Sequence, residues 1–234
     1  MAASEAIVLV GGLGTRLRQV VPDLPKPLAP VAGRPFLAWL LDALAANGMR
    51  RVILATGYRA EAVQAAIGTR WQDMAVDYSR EEAPLGTGGA ILKAATLVAG
   101  QGVHVANGDT YLSYSPQALE RVTHENGCVL GVGLAGVSDV GRYGAVEVQD
   151  GKLAGFREKG GSGPGLINAG SYFLSAEALD MLPREAAWSF EERVLLPWCR
   201  EGRVAAFDAT RDFIDIGVPE DFARAQSQFA QGVA

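Results

Sequence analysis

The sequence predicts an α/β fold in which a mixed, mostly parallel sheet is flanked by helices on both faces. Short apolar runs alternate with helical patterns through the first half of the chain. The second half instead contains a hairpin signal at Gln149–Gly151, between two strand-like runs. The 234 residues, of which 49% are hydrophobic, suffice for one sizeable core.

Five strands and four helices are predicted in the first half. The strands are Ala6–Val10, Arg51–Ala55, Ala75–Ser79, Val103–Ala106 and Val129–Leu134. The helices are Phe36–Asn47, Ala60–Ile67, Gly88–Val98 and Pro116–Glu125. In the first helix, apolar residues recur at helical spacing, and Asn47 and Gly48 end the pattern. Because helices connect successive parallel strands, this alternation predicts a parallel sheet.

The second half carries five predicted strands, the last two of them short, and two helices. The strands are Ala145–Val148, Lys152–Phe156, Ile167–Leu174, Val204–Phe207 and Phe213–Ile216. The helices are Phe190–Trp198 and Pro219–Phe229. No repeat or linker interrupts the sequence, so we expect a single domain over residues 1–234.

Composition narrows the classes of partner. A net charge of −5 disfavours a nucleic-acid partner. The two cysteines, Cys128 and Cys199, form no disulfide framework and no zinc pattern, and we expect buried free thiols. The first apolar run follows no basic segment and is too short for a signal peptide or a membrane span. We therefore expect a soluble cytoplasmic protein without a membrane partner; a homo-oligomer is compatible with the sequence, which does not determine the oligomeric state.

The loop after the first strand predicts a phosphate site. It contains Gly11, Gly12, Gly14, Thr15 and Arg16. Glycines let backbone N–H groups approach an anion closely, and an arginine presents a planar fork of donors to phosphate oxygens. A second cation, Lys26, follows on a segment stiffened by prolines on both sides.

Two common phosphate loops are disfavoured by the spacing. No Gly-Lys-Ser/Thr sequence ends the loop, so it is not a Walker A motif. Leu17 stands where the dinucleotide fingerprint has its third glycine. An oxidoreductase is further disfavoured because the acidic residue about twenty residues later, Asp42, lies inside a predicted helix rather than at a strand end.

Two carboxylates are candidates for holding a metal. Ligands of open parallel sheets bind beyond the carboxyl ends of the strands, where Asn107, Gly108 and Asp109 lie. Asp109 offers Mg²⁺ a hard oxygen donor. Asp215 lies between apolar residues of a predicted strand, where a charge is costly unless it is paired or metal-bound.

These motifs, in this order and along nearly the whole chain, resemble the sugar-1-phosphate nucleotidyltransferases. The resemblance rests first on Gly11–Leu17 followed by Pro25–Pro27. It implies the Rossmann-like, GT-A-like fold of nucleotide-diphospho-sugar transferases, with a nucleotide-binding half over about residues 1–135 and a sugar-phosphate-binding half over about 136–234. It also implies a nucleoside triphosphate and a sugar 1-phosphate as substrates, with Mg²⁺ held by Asp109 and Asp215.

The resemblance also assigns roles to residues. Catalytic roles are implied for Arg16, Lys26 and Lys159. The implied nucleotide-binding residues are Val10, Gly11, Gly12, Gly14, Thr15, Gly86, Gly88, Asn107 and Gly108. Of these, Gly86 and Gly88 would contact the base, and which of the two is closer stays open. The implied sugar-phosphate-binding residues are Gly144, Glu158, Lys159, Asn168 and Gly170.

The implied reaction needs no protein nucleophile. The phosphate of the sugar 1-phosphate attacks the α-phosphorus in line, and pyrophosphate leaves. Arg16 would hold the pyrophosphate, Lys26 would stabilise charge at the α-phosphate, and Lys159 would hold the attacking phosphate. Catalysis is then mostly positioning and charge neutralisation.

Within this family, several segments look most like D-glycero-D-manno-heptose 1-phosphate guanylyltransferases, which make GDP-heptose for bacterial surface polysaccharides. They are Asp23–Pro27, Pro84–Gly89, Ser138–Gly144, Gly165–Asn168 and Phe213–Asp221. Many thymidylyl- and uridylyltransferases have a proline where Arg18–Val20 stands here, which disfavours those bases. Physical reasoning alone indicates no base. The alternatives are a mannose 1-phosphate guanylyltransferase, an N-acetylmuramate 1-phosphate uridylyltransferase and a non-catalytic nucleotide-sugar-binding regulatory protein.

Overall fold

The computed structural model describes residues 2–12, 21, 24–157 and 160–232. Its strands, in chain order, are β1 (Glu5–Leu9), β2 (Pro30–Val31), β3 (Arg34–Pro35), β4 (Arg51–Thr56), β5 (Arg70–Trp71), β6 (Met74–Arg80), β7 (Gly102–Asn107), β8 (Thr110–Ser113), β9 (Leu130–Val137), β10 (Val146–Gln149), β11 (Lys152–Phe156), β12 (Gly165–Ser175), β13 (Val204–Phe207) and β14 (Arg211–Asp215). Its α-helices are α1 (Phe36–Ala46), α2 (Ala60–Ile67), α3 (Gly86–Ala95), α4 (Pro116–Glu125), α5 (Ala176–Met181), α6 (Leu196–Arg200) and α7 (Pro219–Ala230).

One ten-stranded sheet carries the fold, in the order β10-β11-β13-β9-β12-β7-β1-β4-β6-β5. The strands β7, β1, β4 and β6 are parallel neighbours, as the strand–helix alternation predicts. Among the ten strands that the structure describes in this sheet, β5, β11 and β12 are antiparallel to the other seven. The predicted mixed, mostly parallel sheet is confirmed.

Alternate residues of the central strands face opposite layers of the core. Ile7 and Ile53 pack into the layer that contains α3 and α6, whereas Val8 and Leu54 pack into the layer with α1 and α2. All four side chains are fully buried. Strands buried on both faces are continuous apolar runs, which is why β1 and β4 were recognisable in the sequence. Because both faces of these strands are buried, only the strand ends are accessible to a ligand.

The predicted hairpin and the buried thiols are confirmed. β10 pairs antiparallel with β11, and the turn residues Asp150 and Gly151 have φ of 51° and 74°. Two successive positive φ angles match the right-handed twist of a hairpin and explain the Asp-Gly pair. Cys128 and Cys199 are buried and unpaired with each other.

Some elements differ from the sequence prediction. The predicted helix Phe190–Trp198 is a π-helical segment, Glu191–Leu195, followed by α6. The Leu196 N–H donates to the Glu191 carbonyl five residues back, and Pro197 follows without an N–H of its own. The predicted strand at Phe213–Ile216 is β14, which pairs with β8 in a separate two-stranded sheet. Across the described residues, no helix has the length and apolar character needed to cross a membrane.

Candidate active site

The carboxyl ends of the neighbouring central strands β1 and β7 lie side by side. Leu9 of β1 lies beside Asn107 of β7, and the Gly108 N–H donates to the Leu9 carbonyl at 2.9 Å. A Cβ added to Gly108 would lie 2.7 Å from the Leu9 carbonyl oxygen, so only glycine fits this close approach. The chain then turns at Asp109 into β8. This contact places Asp109 directly beside the glycine loop of β1.

β14 brings the second predicted carboxylate to the same place. Asp215 pairs with Thr110 in the two-stranded sheet of β8 and β14, and the Ile216 N–H donates to the Asp109 carbonyl at 3.0 Å. The two carboxylates are therefore held next to each other by backbone pairing, although they are separated by 106 positions in the sequence.

Lys26 bridges the two carboxylates. Its Nζ lies 2.5 Å from Asp109 Oδ2 and 3.6 Å from Asp215 Oδ1. The prolines that flank Lys26 start a 3₁₀ turn, Lys26–Leu28, which keeps the backbone close to the site. The sequence analysis assigned Lys26 to the α-phosphate; the structure adds a direct ion pair with both predicted metal ligands.

Burial and charge oppose each other at Asp215. Burial raises the pKa of the Asp215 carboxyl, Lys26 lowers it, and the nearby Asp109 raises it again. The Gly217 N–H donates to Asp215 Oδ1 at 2.7 Å and stabilises the carboxylate form. A Cβ at position 217 would lie 2.8 Å from that oxygen and 3.1 Å from Lys26 Nζ. Glycine at position 217 therefore leaves room for Lys26 to approach Asp215. The sequence analysis missed this role.

Arg142 is a second cation at Asp215. Its Nη2 lies 3.3 Å from Asp215 Oδ2, and its other terminal nitrogen pairs with Asp221 at the start of α7. The guanidinium also lies 4.4 Å from the ring centroid of Tyr143 and donates to its hydroxyl. Burial and the Asp221 charge raise the pKa of Tyr143 to about 12, so this hydroxyl keeps its proton. The sequence analysis noted Arg142 only within a motif.

Three cavities that share lining residues lie at these strand ends and are here together called the groove. The central cavity, of about 410 Å³, is lined by Val10, Gly12, Lys26, Asp109 and Asp215, among others. It shares Gly12 with a larger one of about 940 Å³, here called the glycine-rich cavity. On the other side it shares Asn107 and Asp215 with a third of about 390 Å³, here called the Arg142 cavity. The charged centre therefore lies between two chambers.

A scan against family models matches residues 5–232 to the Nucleotidyl transferase family. The chain belongs to this family. It is 37% identical to D-glycero-alpha-D-manno-heptose 1-phosphate guanylyltransferase of Aneurinibacillus thermoaerophilus, over 96% of this chain and 97% of that protein. It is 33% identical to mannose-1-phosphate guanylyltransferase of Mycobacterium tuberculosis, over 98% of this chain and 66% of that protein. The prediction of a nucleotidyltransferase is confirmed.

A solved structure has the same fold. HddC from Yersinia pseudotuberculosis, in a crystal structure complexed with GMP-PN, superposes with a TM-score of 0.84 at 35% sequence identity. The match covers 97% of this chain and all of that chain. The fold predicted from the resemblance to nucleotide-diphospho-sugar transferases is therefore confirmed.

Most of the predicted nucleotide-binding residues that the structure describes line the groove of this nucleotidyltransferase. Val10 lines the central cavity, Gly11 and Gly86 line the glycine-rich cavity, and Gly12 lines both. Asn107 reaches the central and Arg142 cavities. Their contacts with a nucleotide stay predictions, and their shared location supports them.

Gly88 packs against Trp188, and its predicted contact with the base stays a prediction. Its N–H donates to the Trp188 carbonyl at 2.9 Å, and a Cβ there would lie 2.0 Å from the Trp188 ring. Gly88 is buried in this contact, whereas Gly86 lies on the cavity wall. Gly88 therefore packs the start of α3 against Trp188, whereas Gly86, which also lies against the Trp188 backbone, is the one of the two that lines the cavity.

The predicted sugar-side residues lie together in the Arg142 cavity. Gly144, Asn168 and Gly170 all line it. Asn168 accepts from the Gly170 N–H at 3.0 Å and donates to the Tyr172 hydroxyl at 2.8 Å, which holds its amide in place. Gly170 has φ of 68° and lies directly against Asn107, where a Cβ would clash. The remaining predicted residues lie outside the described residues: Gly14, Thr15, Arg16, Glu158 and Lys159.

The donor set fits a divalent cation. Carboxylate oxygens are the protein ligands that Mg²⁺ prefers, and Asp109 and Asp215 already converge on one positive charge, the Lys26 ammonium. In the described part of the chain, no cluster of three or more His, Cys, Asp or Glu side chains has metal-binding geometry. Two carboxylates would thus be the protein's share, which suits an ion that retains waters and binds substrate phosphates.

Proposed function

We propose that this nucleotidyltransferase couples GTP with a sugar 1-phosphate, D-glycero-alpha-D-manno-heptose 1-phosphate, to give a GDP-sugar and pyrophosphate. The observation that carries the proposal is the row of three cavities that share lining residues, with Lys26, Asp109 and Asp215 in the central one. Two substrates in adjoining chambers would meet at this charged centre. Nucleoside triphosphates are cytoplasmic substrates, so a cytoplasmic location is part of the proposal.

The two chambers divide the substrates by their chemistry. The glycine-rich cavity offers flat backbone surface at Gly11, Gly57 and Gly86, which suits a planar base. The Arg142 cavity offers hydroxyl-binding groups, including the Asn168 amide and the Glu191 carboxylate, which suit a sugar. The α-phosphate would then lie at the central cavity, within reach of Lys26.

The chain's own groups position the reactants and neutralise charge. Lys26 would stabilise the α-phosphate as the sugar phosphate attacks, and Arg16 and Lys159 keep their predicted roles on pyrophosphate and on the attacking phosphate. A Mg²⁺ ion held by Asp109 and Asp215 would neutralise the charge of the phosphate oxygens. Arg142 pairs with Asp215, which lines both the central cavity and the Arg142 cavity. Positioning and electrostatic stabilisation of this kind dominate phosphoryl-transfer catalysis.

The substrate choice is supported by the relatives. The Aneurinibacillus protein is named for heptose 1-phosphate and for guanylyl transfer, and this chain matches nearly all of its length. The crystal structure of HddC contains GMP-PN. The Mycobacterium relative supports mannose 1-phosphate as the second candidate sugar, again with the guanylyl group.

A pyrophosphate-release assay tests the proposal. ATP, CTP, GTP, UTP and dTTP are crossed with heptose, mannose, glucose and N-acetylmuramate 1-phosphates, with Mg²⁺ and with EDTA. Mg²⁺-dependent release with GTP and heptose 1-phosphate is the expected result. Release with GTP and mannose 1-phosphate would replace the sugar, and release with UTP and the muramate compound would overturn both assignments. Nucleotide binding without release for any pair would favour the regulatory alternative.

A further inference from the structure

Asp221 is a buried carboxylate that the proposed mechanism does not use. It lies in the first turn of α7, and its side chain is 12% exposed. It is not among the lining residues of the three cavities described above. Its oxygens face two cations instead: Oδ2 pairs with Arg142, and Oδ1 lies 3.0 Å from Arg224 Nη2. Asp221 therefore reaches the groove through Arg142, which lines one of the cavities.

The packing of α7 fixes the position of Asp221. The next residue, Phe222, lies in one buried apolar cluster with residues of α1 and β14. Gln226 accepts from the Ala32 N–H at 2.9 Å and donates to the Pro30 carbonyl at 2.8 Å, which binds α7 to the hairpin of β2 and β3. A short side chain on a helix held in two places has little freedom to move. The longer arginine is therefore the partner that adjusts its position.

Arg142 is shared unequally between two carboxylates. Its Nη1 pairs directly with Asp221, whereas its Nη2 lies 3.3 Å from Asp215 Oδ2. Charge-assisted hydrogen bonds between such groups are ordinarily about 2.7–2.9 Å long, so the contact with Asp215 is a weak one. Nη2 also donates to the Tyr143 hydroxyl, which in turn donates to Asp221 Oδ2 at 3.4 Å. Both contacts draw the guanidinium toward Asp221 and away from Asp215.

We infer that Asp221 is a positioning residue: by holding Arg142, it keeps Asp215 available to the divalent cation. This inference rests on the proposed function, which places that cation at Asp109 and Asp215. An arginine and a carboxylate favour a bidentate pair with two parallel hydrogen bonds. With Asp221 present, one end of the fork is occupied, and Arg142 offers Asp215 a single long contact. Without Asp221, the fork would be free to turn to Asp215 and to compete with the cation for its oxygens.

The place of Asp221 in a helix does not by itself explain these contacts. Acidic residues in the first turn of a helix are stabilised by its dipole, and α7 has two of them, Glu220 and Asp221. Glu220 is exposed, whereas Asp221 is buried against two arginines. Glu220→Gln therefore removes the same charge from the same helical turn, and it is the matched control for Asp221→Asn.

Mn²⁺ binding to the protein without nucleotide measures the competition directly, through the loss of the free Mn²⁺ signal in electron paramagnetic resonance. Asp221→Asn should raise the Kd for Mn²⁺ by about 3- to 10-fold, the range for a partly exposed bond between charged groups. Glu220→Gln should change it by less than about twofold. In the transfer reaction, Asp221→Asn should need correspondingly more Mg²⁺ for its half-maximal rate. Its kcat at saturating Mg²⁺ should be nearly unchanged, whereas a merely structural defect would lower kcat.

Arg142→Gln separates the restraint from a general charge effect. This substitution should tighten Mn²⁺ binding more in the Asp221→Asn background than in the wild type, because only there is the guanidinium free to occupy Asp215. Equal gains in the two backgrounds would indicate independent charge effects and would overturn the inference. Should Asp221→Asn fail to fold, Asp221→Ser removes the same charge with a residue that suits helix starts, and the Kd should rise in the same way.

Failure of the inference and failure of the proposed function give different results. An unchanged Kd in Asp215→Asn would place the ion elsewhere and overturn the inference. Variants that follow the predicted order, together with a wild type that transfers no nucleotidyl group, would overturn the proposed function and support the inference. Transfer by the wild type, together with equal Mn²⁺ affinities of Asp221→Asn and wild type, would overturn the inference and support the proposed function.

Discussion

Replacing Lys26 with methionine tests the electrostatics of the site most sharply. The substitution keeps an unbranched side chain of similar length but removes the ammonium that bridges Asp109 and Asp215. Two neighbouring carboxylates would then repel each other. We expect a less stable protein that gains more stability from a divalent cation than the wild type does.

The size of the effect follows from the distances and from the exposure of the three side chains. The ammonium lies 2.5 Å and 3.6 Å from the carboxylate oxygens, and the side chains of Lys26, Asp109 and Asp215 are 13%, 35% and 25% exposed. Breaking a buried pair from one side costs about 3–5 kcal/mol, and an exposed pair contributes about 0–1 kcal/mol. This partly exposed cluster lies between those limits, at about 2 kcal/mol. For a chain of this length, that loss corresponds to a fall in Tm of roughly 4–8 °C.

The loss should depend on pH. Burial already raises the pKa of Asp215, and Lys26 opposes that rise, so Lys26→Met should raise the pKa further. When a carboxyl group has a higher pKa in the folded than in the unfolded state, the free energy of unfolding falls as the pH rises. The fall is complete once the pH has passed the folded-state pKa. The difference between variant and wild type should therefore be small in acid, where Asp215 is protonated in both proteins, and complete near neutral pH.

The assay is thermal unfolding in EDTA and in Mn²⁺, followed by circular dichroism at neutral and at acidic pH. Mn²⁺ should raise the Tm of Lys26→Met by more than that of wild type, because the metal no longer competes with the ammonium for the same oxygens. Lys93→Met is the matched control, since Lys93 Nζ contacts a backbone carbonyl, that of Arg80, rather than the carboxylate pair. Equal stability of Lys26→Met and wild type in EDTA, together with equal Mn²⁺ shifts, would refute the reasoning.

Three further predictions concern Gly88, His104 and Arg142. Gly88→Ala should lower the free energy of unfolding by about 1–3 kcal/mol in urea, because its methyl group would overlap the Trp188 ring; an unchanged midpoint would count against this packing role. Burial lowers the pKa of His104 to about 4, so below about pH 6.5 the unfolded state takes up a proton that the fold excludes. Wild type should therefore lose up to about 3 kcal/mol as the pH falls from 6.5 to 4, and His104→Phe should remove that dependence; parallel pH profiles would contradict it. Arg142→Gln should lower kcat/KM about 10- to 100-fold without unfolding, since it frees Asp215, and full activity would show that this pairing is dispensable.

The parallel half of the sheet could be predicted from the sequence because its signals are local. β1 and β4 each contain a continuous apolar run, and glycine follows each strand within two residues. The position of Asp109 could be predicted because ligands of parallel sheets bind at the carboxyl ends of the strands. The Asp-Gly turn between β10 and β11 was recognisable from its conformational requirement.

The rest depends on contacts between distant segments. Arg142 reaches Asp215 across 73 positions, and Gly88 packs against Trp188 across 100. A glycine at the start of a helix looks the same in the sequence whether it borders a ligand or an indole ring, so the pattern alone could not separate Gly86 from Gly88. The bridge from Lys26 to both carboxylates was similarly out of reach, because it requires β14 to pair with β8.

The most direct test of the central claim follows the nucleotidyl group itself. With [α-³²P]GTP, heptose 1-phosphate and Mg²⁺, wild type should transfer the label into a GDP-sugar. Asp109→Asn and Asp215→Asn should each lose about a hundredfold or more of that rate. Asp212→Asn, at the start of the same strand β14, should keep it. Near-wild-type transfer by either of the first two variants would contradict a reaction centred on Asp109 and Asp215.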